Sequence, residues 1–127
     1  MIQNIDYAAT FLEIAGEEIS SEIQGHSLVP IFEDSTRSVR DSLYYAYYEL
    51  GEHAVPQHFG VRTKTTKLFY LPSTNQWQLF DLIKDPQEMV DLSEHPDYLS
   101  IKSELMNEYH RLREKFKAPA YEEFSEK

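Results

Sequence analysis

Cysteine is missing from all 127 residues of this chain, which excludes disulfides, thiolate metal sites and a cysteine nucleophile. Cations are scarce as well. With 12 Lys and Arg against 22 Asp and Glu the net charge is -10, and such a field repels phosphate backbones and anionic bilayers, so neither nucleic acid nor a membrane surface is expected as a partner. No apolar run approaches the roughly 20 residues of a membrane span, and Met1-Ile2-Gln3-Asn4-Ile5-Asp6 has neither the basic flank nor the apolar centre of a signal peptide. Internal repeats and low-complexity tracts are absent too.

What the chain does have is apolar and aromatic surface, 41% and 13% of its residues, enough to order it. A chain of this length buries roughly two-thirds of its unfolded surface, which suits one core. Asn4 is placed to cap a helix over residues 5–15, with Ile5, Ala8, Leu12 and Ala15 on one face, Phe11 and Ile14 beside them, and Gly16 as a left-handed stop. So wide an apolar girth predicts contact with more protein than a short surface helix needs. Residues 27–32 suit one further helical turn, with Pro30 early in it, and 33–41 read as a charged loop.

Residues 42–49, rich in tyrosine, predict a strand with two aromatic faces, both in need of cover. A loop over 50–57 leads to strands at 58–63, 67–71 and 76–82, joined by short turns that suit antiparallel hairpins. Asp85 beside Pro86 predicts turn chemistry, the carboxylate taking nearby backbone N–H groups while Glu88 opens a helical turn. A long helix follows from Pro96 or Asp97, with Tyr98, Ile101, Leu105, Tyr109, Leu112 and Phe116 as the stripe facing the sheet. Lys115 and Lys117 fall in its last turn, Pro119 stops it, and 121–127 read as a loosely ordered acidic tail. The fold class is α+β: a short N-terminal helix, then a small antiparallel sheet of about four strands against a long C-terminal helix.

Little in this pattern carries chemistry on its own. The five histidines include no i, i+4 pair of the zinc type, no carboxylate set matches a calcium loop, and no Gly-x-Ser-x-Gly elbow occurs, so catalytic and metal-ligating residues are both expected to be none. His95 and His110 are expected at a solvated helix start and on a solvated helix face. His53 and His58 differ, because the loop between them is expected to gather them with Tyr47, Glu49 and Arg62 at one end of the sheet, where such a group holds sugar hydroxyls. The plainer reading has Arg62 paired with Glu49 or Asp81 on the surface and His58 at a strand end.

Six segments, in order, resemble the carboxy-terminal subdomain of the formylglycine-dependent, arylsulfatase-type sulfatases. Asp6-Tyr7-Ala8-Ala9-Thr10-Phe11-Leu12 with Ala15-Gly16 is similar to a family helix reading Asp-x-Ala-Pro-Thr-Leu-Leu-x-x-Ala-Gly, and Gly25-His26-Ser27-Leu28-Val29-Pro30-Ile31 to its Gly-x-Ser-Leu-x-Pro-Leu. Arg40-Asp41-Ser42-Leu43-Tyr44-Tyr45 and Tyr48-Glu49 resemble its next strand. Gly60-Val61-Arg62-Thr63 with Lys67-Leu68 resembles a Gly-Val-Arg-Thr hairpin, and Leu79-Phe80-Asp81-Leu82 with Asp85-Pro86-Gln87-Glu88 then Asp91-Leu92 the closing strand. Ala9, Thr66 and Gln78 depart from the usual proline, aromatic residue and glutamate.

The resemblance implies an alkaline-phosphatase-like sulfatase fold, with residues 1–40 the end of the N-terminal domain, 41–118 the C-terminal subdomain and 119–127 a tail. It implies a sulfuric ester hydrolase acting on a sulfated sugar or aryl sulfate, whose calcium and formylglycine lie outside these residues, so that no cofactor belongs to this chain. The formylglycine motif, Cys or Ser, x, Pro or Ala, x, Arg, does not occur in it. A structural and substrate-rim role follows, inactive alone, with His53, His58 and Arg62 as candidate substrate contacts. With a net charge of -10, recognition of a sulfate here would need a local cluster of cations. The implied partners are the rest of a sulfatase chain, a sulfated carbohydrate, or a second copy through the N-terminal helix, and the implied location is periplasmic or extracellular. The competing expectation is a free-standing carbohydrate- or protein-binding module.

Overall fold

A computed structural model describes residues 1–49 and 54–119, which divide into two compact units, Met1–Asp41 and Ser42–Lys127. The expected features at 50–53 and 120–127, among them His53 and most of the tail, lie outside the described residues.

In the first unit α1 spans Asp6–Ala15 and α2 spans Val29–Glu33. Asn4 does not cap α1: Ile5 occupies that place without a side-chain bond, and the Asp6 carboxylate reaches back to the Gln3 N–H at 2.7 Å. Gly16 closes the helix at φ 76°, with the Glu17 N–H bonded to the Leu12 carbonyl.

The buried face of α1 is Asp6, Ala9 and Thr10, whereas Ile5, Ala8 and Ala15 are exposed and Leu12 only half-buried, so the apolar stripe read from the sequence is not the inner one. Polar bonding decides the orientation. Asp6 is 0% exposed, forms a two-pronged ion pair with Arg40, and accepts the His26 N–H at 2.9 Å. Thr10 Oγ1 donates to the Asp6 carbonyl at 2.7 Å and accepts the Leu28 N–H at 3.0 Å. Gly25 lies so close to the Ile5 carbonyl that no Cβ fits. Tyr7, Phe11 and Ile14 are left exposed on α1.

In the second unit the strands are β1 Ser42–Tyr47, β2 His58–Thr63, β3 Thr66–Leu71 and β4 Gln76–Asp81, an antiparallel meander in the order β1-β2-β3-β4. A 3₁₀ turn, Pro96–Tyr98, leads into α3, Leu99–Lys115, and His95 Nδ1 accepts the Asp97 N–H at its start. Each strand starts and ends within two residues of its expected bounds.

The pairs Tyr44↔Val61, Val61↔Leu68 and Leu68↔Leu79 form one row across the sheet. Leu105, Tyr109 and Leu112 of α3 cover that row, with Phe59 in the same core and Tyr98, Ile101 and Phe116 at its margin. The expected α3 stripe is the observed one. Lys117 is not in the last turn: it stands just past the helix at φ 50°, where the Lys117 and Ala118 N–H groups bond the Glu114 and Arg113 carbonyls.

After β4, Asp85 Oδ2 accepts the Met89 and Val90 N–H groups at 2.6 and 2.8 Å, as expected of turn chemistry. Glu88 opens no helical turn. It sits at φ 56° and forms an ion pair with Lys67. The same segment then runs along β4, with the Leu92 N–H on the Leu79 carbonyl at 2.8 Å and the Leu79 N–H on Asp91 Oδ1 at 3.0 Å.

Gly60 is the tight point of the outer sheet face. A Cβ there would lie 2.5 Å from the Leu68 carbonyl oxygen, 2.6 Å from Tyr45 Oη and 2.7 Å from Phe69 Cβ. The missing side chain lets the Tyr45 ring lie across β2. Gly60→Ala is expected to cost about 1–3 kcal/mol, read from the urea midpoint, by forcing the β3 backbone at Leu68 and the Tyr45 ring aside.

The Asp6 carboxyl is raised by burial, but the Arg40 hydrogen bond and the His26 and Gln3 N–H groups outweigh this and bring it down from 3.8 to about 2. A carboxyl lowered in the folded state stabilises above its unfolded value, and the effect disappears as pH falls through the folded one. Denaturant midpoints by circular dichroism should therefore lose about 2 kcal/mol between pH 4 and 2 at this site. Asp6→Asn, which leaves Arg40 buried without its carboxylate, is expected to cost about 3–5 kcal/mol at pH 7 and to lose that pH component.

Candidate functional site

Strand alternation sorts the candidates. Val61 and Phe59 point at α3, so His58, Gly60 and Arg62 share the opposite face with Leu43, Tyr45 and Tyr47 of β1, Lys67, Phe69 and Leu71 of β3, and Gln78 of β4. The two aromatic faces expected of β1 are both present. Tyr44 packs on the core, its ring 5.7 Å from that of Tyr109, while Tyr45 and Tyr47 belong to the outer face.

His58 is the centre of this face. Its ring stacks on Tyr47 at 5.7 Å and lies 5.8 Å from Tyr45 and 6.2 Å from Phe69. His58 Nδ1 lies 2.9 Å from the Pro56 carbonyl, which only accepts, so this nitrogen carries a proton and Nε2 is the nitrogen left for a ligand. Tyr47 Oη donates to Glu49 at 3.2 Å, so His58, Tyr47 and Glu49 do come together as expected.

Arg62 does not join them. The register puts His58 opposite Tyr47 and Arg62 opposite Leu43, four residues and about 13 Å further along β2. Nor does Arg62 pair with Asp81, whose carboxylate takes the Tyr98 hydroxyl at 2.8 Å and the Ile83 and Lys84 N–H groups at 3.0 Å. Arg62 is exposed. Hydrogen bonding by these groups holds the Asp81 carboxyl below its usual value. His95 and His110 are exposed, as expected.

A cavity of about 330 Å³ opens on the outer face, lined by Tyr45, Val55, Pro56, His58, Lys67, Phe69, Leu71 and Gln78. That is near the lower limit of small-molecule sites, and its walls are apolar and aromatic with a few polar groups, as such sites are. Lys67 Nζ lies 5.2 Å from the Phe69 ring centre and 5.8 Å from that of Tyr45, but its charge is already matched by Glu88. Burial pushes the Tyr45 hydroxyl up, with Glu88 adding to it, so it stays protonated. The cavity therefore offers stacking surfaces, an amide and an imidazole nitrogen. Those groups suit binding and hold no nucleophile with a base to activate it.

Tyr45, Lys67, Phe69 and Gln78 were not singled out from the sequence, although their register with His58 is the signal that finds them. Among the described residues no three His, Asp or Glu side chains converge as metal ligands would, and the sequence has no cysteine for conversion to formylglycine. The described residues thus do not fit a calcium centre, and the sequence carries no formylglycine motif. No helix of the described residues is long and apolar enough to cross a membrane.

The model of the family described as N-sulphoglucosamine sulphohydrolase, C-terminal, matches residues 1–115. The chain belongs to that family. It is 36% identical over 119 residues to an N-acetylglucosamine-6-O-sulfatase of Bacteroides thetaiotaomicron, covering 90% of this chain and 21% of the relative. It is 30% identical over 96 residues to an arylsulfatase of Clostridium perfringens, covering 73% of this chain and 18% of that one. Among solved structures, one in complex with its substrate D-glucosamine-2-N,6-O-disulfate superposes with a TM-score of 0.82 at 37% identity, over 88% of this chain and 24% of the other. The fold is thus the α+β carboxy-terminal region of an alkaline-phosphatase-like sulfatase. The chain spans about a fifth of the length of the curated relatives it matches, 21% and 18%.

Tyr45 Oη is buried and has no hydrogen-bond partner among the described residues. Tyr45→Phe is accordingly expected to be neutral or to stabilise the chain by about 1 kcal/mol, because an unsatisfied hydroxyl is removed and the ring stays. A clear drop in the thermal midpoint would show that the hydroxyl is bonded after all.

Proposed function

We propose that this chain serves as the carboxy-terminal part of a sulfuric ester hydrolase acting on a sulfated sugar, completing its fold and one rim of its pocket while carrying no reactive centre. The observation that carries this reading is the family match over residues 1–115 by a sequence with no formylglycine motif. The sugar class rests on the relatives, one an N-acetylglucosamine-6-O-sulfatase and one solved with a disulfated glucosamine. In this reading residues 1–40 end the parent's N-terminal domain and 41–118 form its C-terminal subdomain.

His58 is the rim residue of choice, since Nε2 can accept from a sugar hydroxyl while Tyr45 and Phe69 stack on ring C–H faces. His53 and Arg62 stay as candidate contacts, the first outside the described residues and the second at the far end of β2. Calcium and formylglycine belong, in this proposal, to the remainder of the enzyme, where hydrolysis takes place. The exposed Tyr7, Phe11 and Ile14 of α1 support a partner surface, for which the rest of a sulfatase chain or a second copy is the natural occupant.

The purified chain, assayed with an aryl sulfate and with 6-sulfated N-acetylglucosamine in the presence of calcium, is expected to release no sulfate above the uncatalysed rate. Turnover that follows the protein through successive purification steps would overturn the proposal.

A further inference from the structure

A second cavity, of about 280 Å³, lies on the side of the sheet that carries α3, and its walls include Tyr70, Asn75, Trp77, Tyr109, His110 and Arg113. Phe59 lines this cavity and His58 the other, so adjacent residues of β2 serve opposite faces.

The aromatic wall is built at fixed angles. Trp77 packs 5.2 Å from Tyr70 and stands edge-on to Tyr109 at 5.2 Å and 84°. Tyr109 is 5% exposed and anchored in the core, so this wall cannot swing away with a loop.

The polar groups around it include a guanidinium and an amide. The Arg113 guanidinium carbon lies 5.6 Å from the Tyr109 ring centre, and Nη2 donates to the Pro119 carbonyl at 3.2 Å. Arg113 Nε is buried and has no hydrogen-bond partner among the described residues. That nitrogen is covered by protein, so Arg113 meets the cavity through the rest of its side chain. The Tyr70 hydroxyl donates to Asn75 Oδ1 at 2.7 Å, which orients that amide. An angled aromatic wall next to a guanidinium and an amide suits a ligand with a C–H face and an anionic substituent.

We propose that this cavity binds a sugar residue carrying an anionic group, sulfate or carboxylate, with the ring stacked on Trp77 and the anion on Arg113. This site goes beyond the rim role of the His58 face and does not depend on it. A guanidinium beside an aromatic ring provides the local cationic recognition that a chain of net charge -10 requires.

Trp77 is the one tryptophan of the sequence, so its fluorescence reports this cavity alone. The full chain is titrated with 6-sulfated N-acetylglucosamine, glucuronic acid, unsulfated N-acetylglucosamine and inorganic sulfate. A saturable change with the sulfated sugar, the uronic acid or both supports the proposal and identifies the anion, provided that the neutral sugar and the inorganic ion each bind at least tenfold more weakly. Arg113→Gln should weaken the response at least tenfold. Arg113→Lys, which keeps the charge and lacks the fork, should do the same with an unchanged circular dichroism spectrum. Lys64→Ala, a charge removed at the β2–β3 turn, should titrate like the parent. The proposal is overturned by no saturable change, by equal affinity for neutral and charged sugars, by inorganic sulfate binding as well as the sugars, or by both Arg113 variants titrating like the parent.

Discussion

A strand has two faces and no third choice, and the second unit is organised by that constraint. Val61, Leu68 and Leu79 are 0% exposed and sit side by side across three strands, with Tyr44 of β1 opposite Val61. A slip of one residue in any of these pairings would send the buried row into solvent and bring Gly60 or Lys67 under α3. The register is thereby held by burial, and with it the address of every side chain on the outer face. His58 looks into its cavity because Phe59 must look the other way.

The motifs that mark the sulfatase family in this chain prove to be mostly devices of construction. Asp6 and Thr10 of the first segment, with Gly25, His26 and Leu28 of the second, are tied together by the Arg40 ion pair, by the Asp6 and Thr10 bonds to the His26 and Leu28 N–H groups, and by a close backbone approach. Gly60 of the hairpin segment makes room for Tyr45, and Asp85 and Asp91 of the last hold backbone N–H groups in and after β4. Residues of this kind identify a family without taking part in its reaction, because a buried carboxylate or a missing Cβ is as hard to replace as a nucleophile.

The periodic parts were legible from sequence. Four strands and α3 announce themselves by alternation and by the stripe from Tyr98 to Phe116, where burial follows hydrophobicity. Two things were not. The inner face of α1 is chosen by hydrogen bonds of Asp6 and Thr10, and a reading of apolar spacing assigns that face to Ile5, Ala8 and Leu12 instead. The site was half legible: a histidine within a loop-to-strand junction stands out, but whether Arg62 joins it depends on strand register, which sequence spacing alone leaves open. Trp77 and Arg113 come from elements 36 positions apart in the numbering, and only the packing of α3 on β4 brings them together.

The segment after β4 has one more effect. By taking both the N–H and the carbonyl of Leu79, Asp91 and Leu92 occupy the central hydrogen-bonding position through which another chain would extend the sheet at β4. An unprotected margin of this kind is a template for runaway strand addition and fibre growth. In a chain whose four strands are one-third aromatic, the short strap from Asp85 to Leu92 thus blunts the β4 margin with backbone and one carboxylate instead of the lysines that usually fill that role.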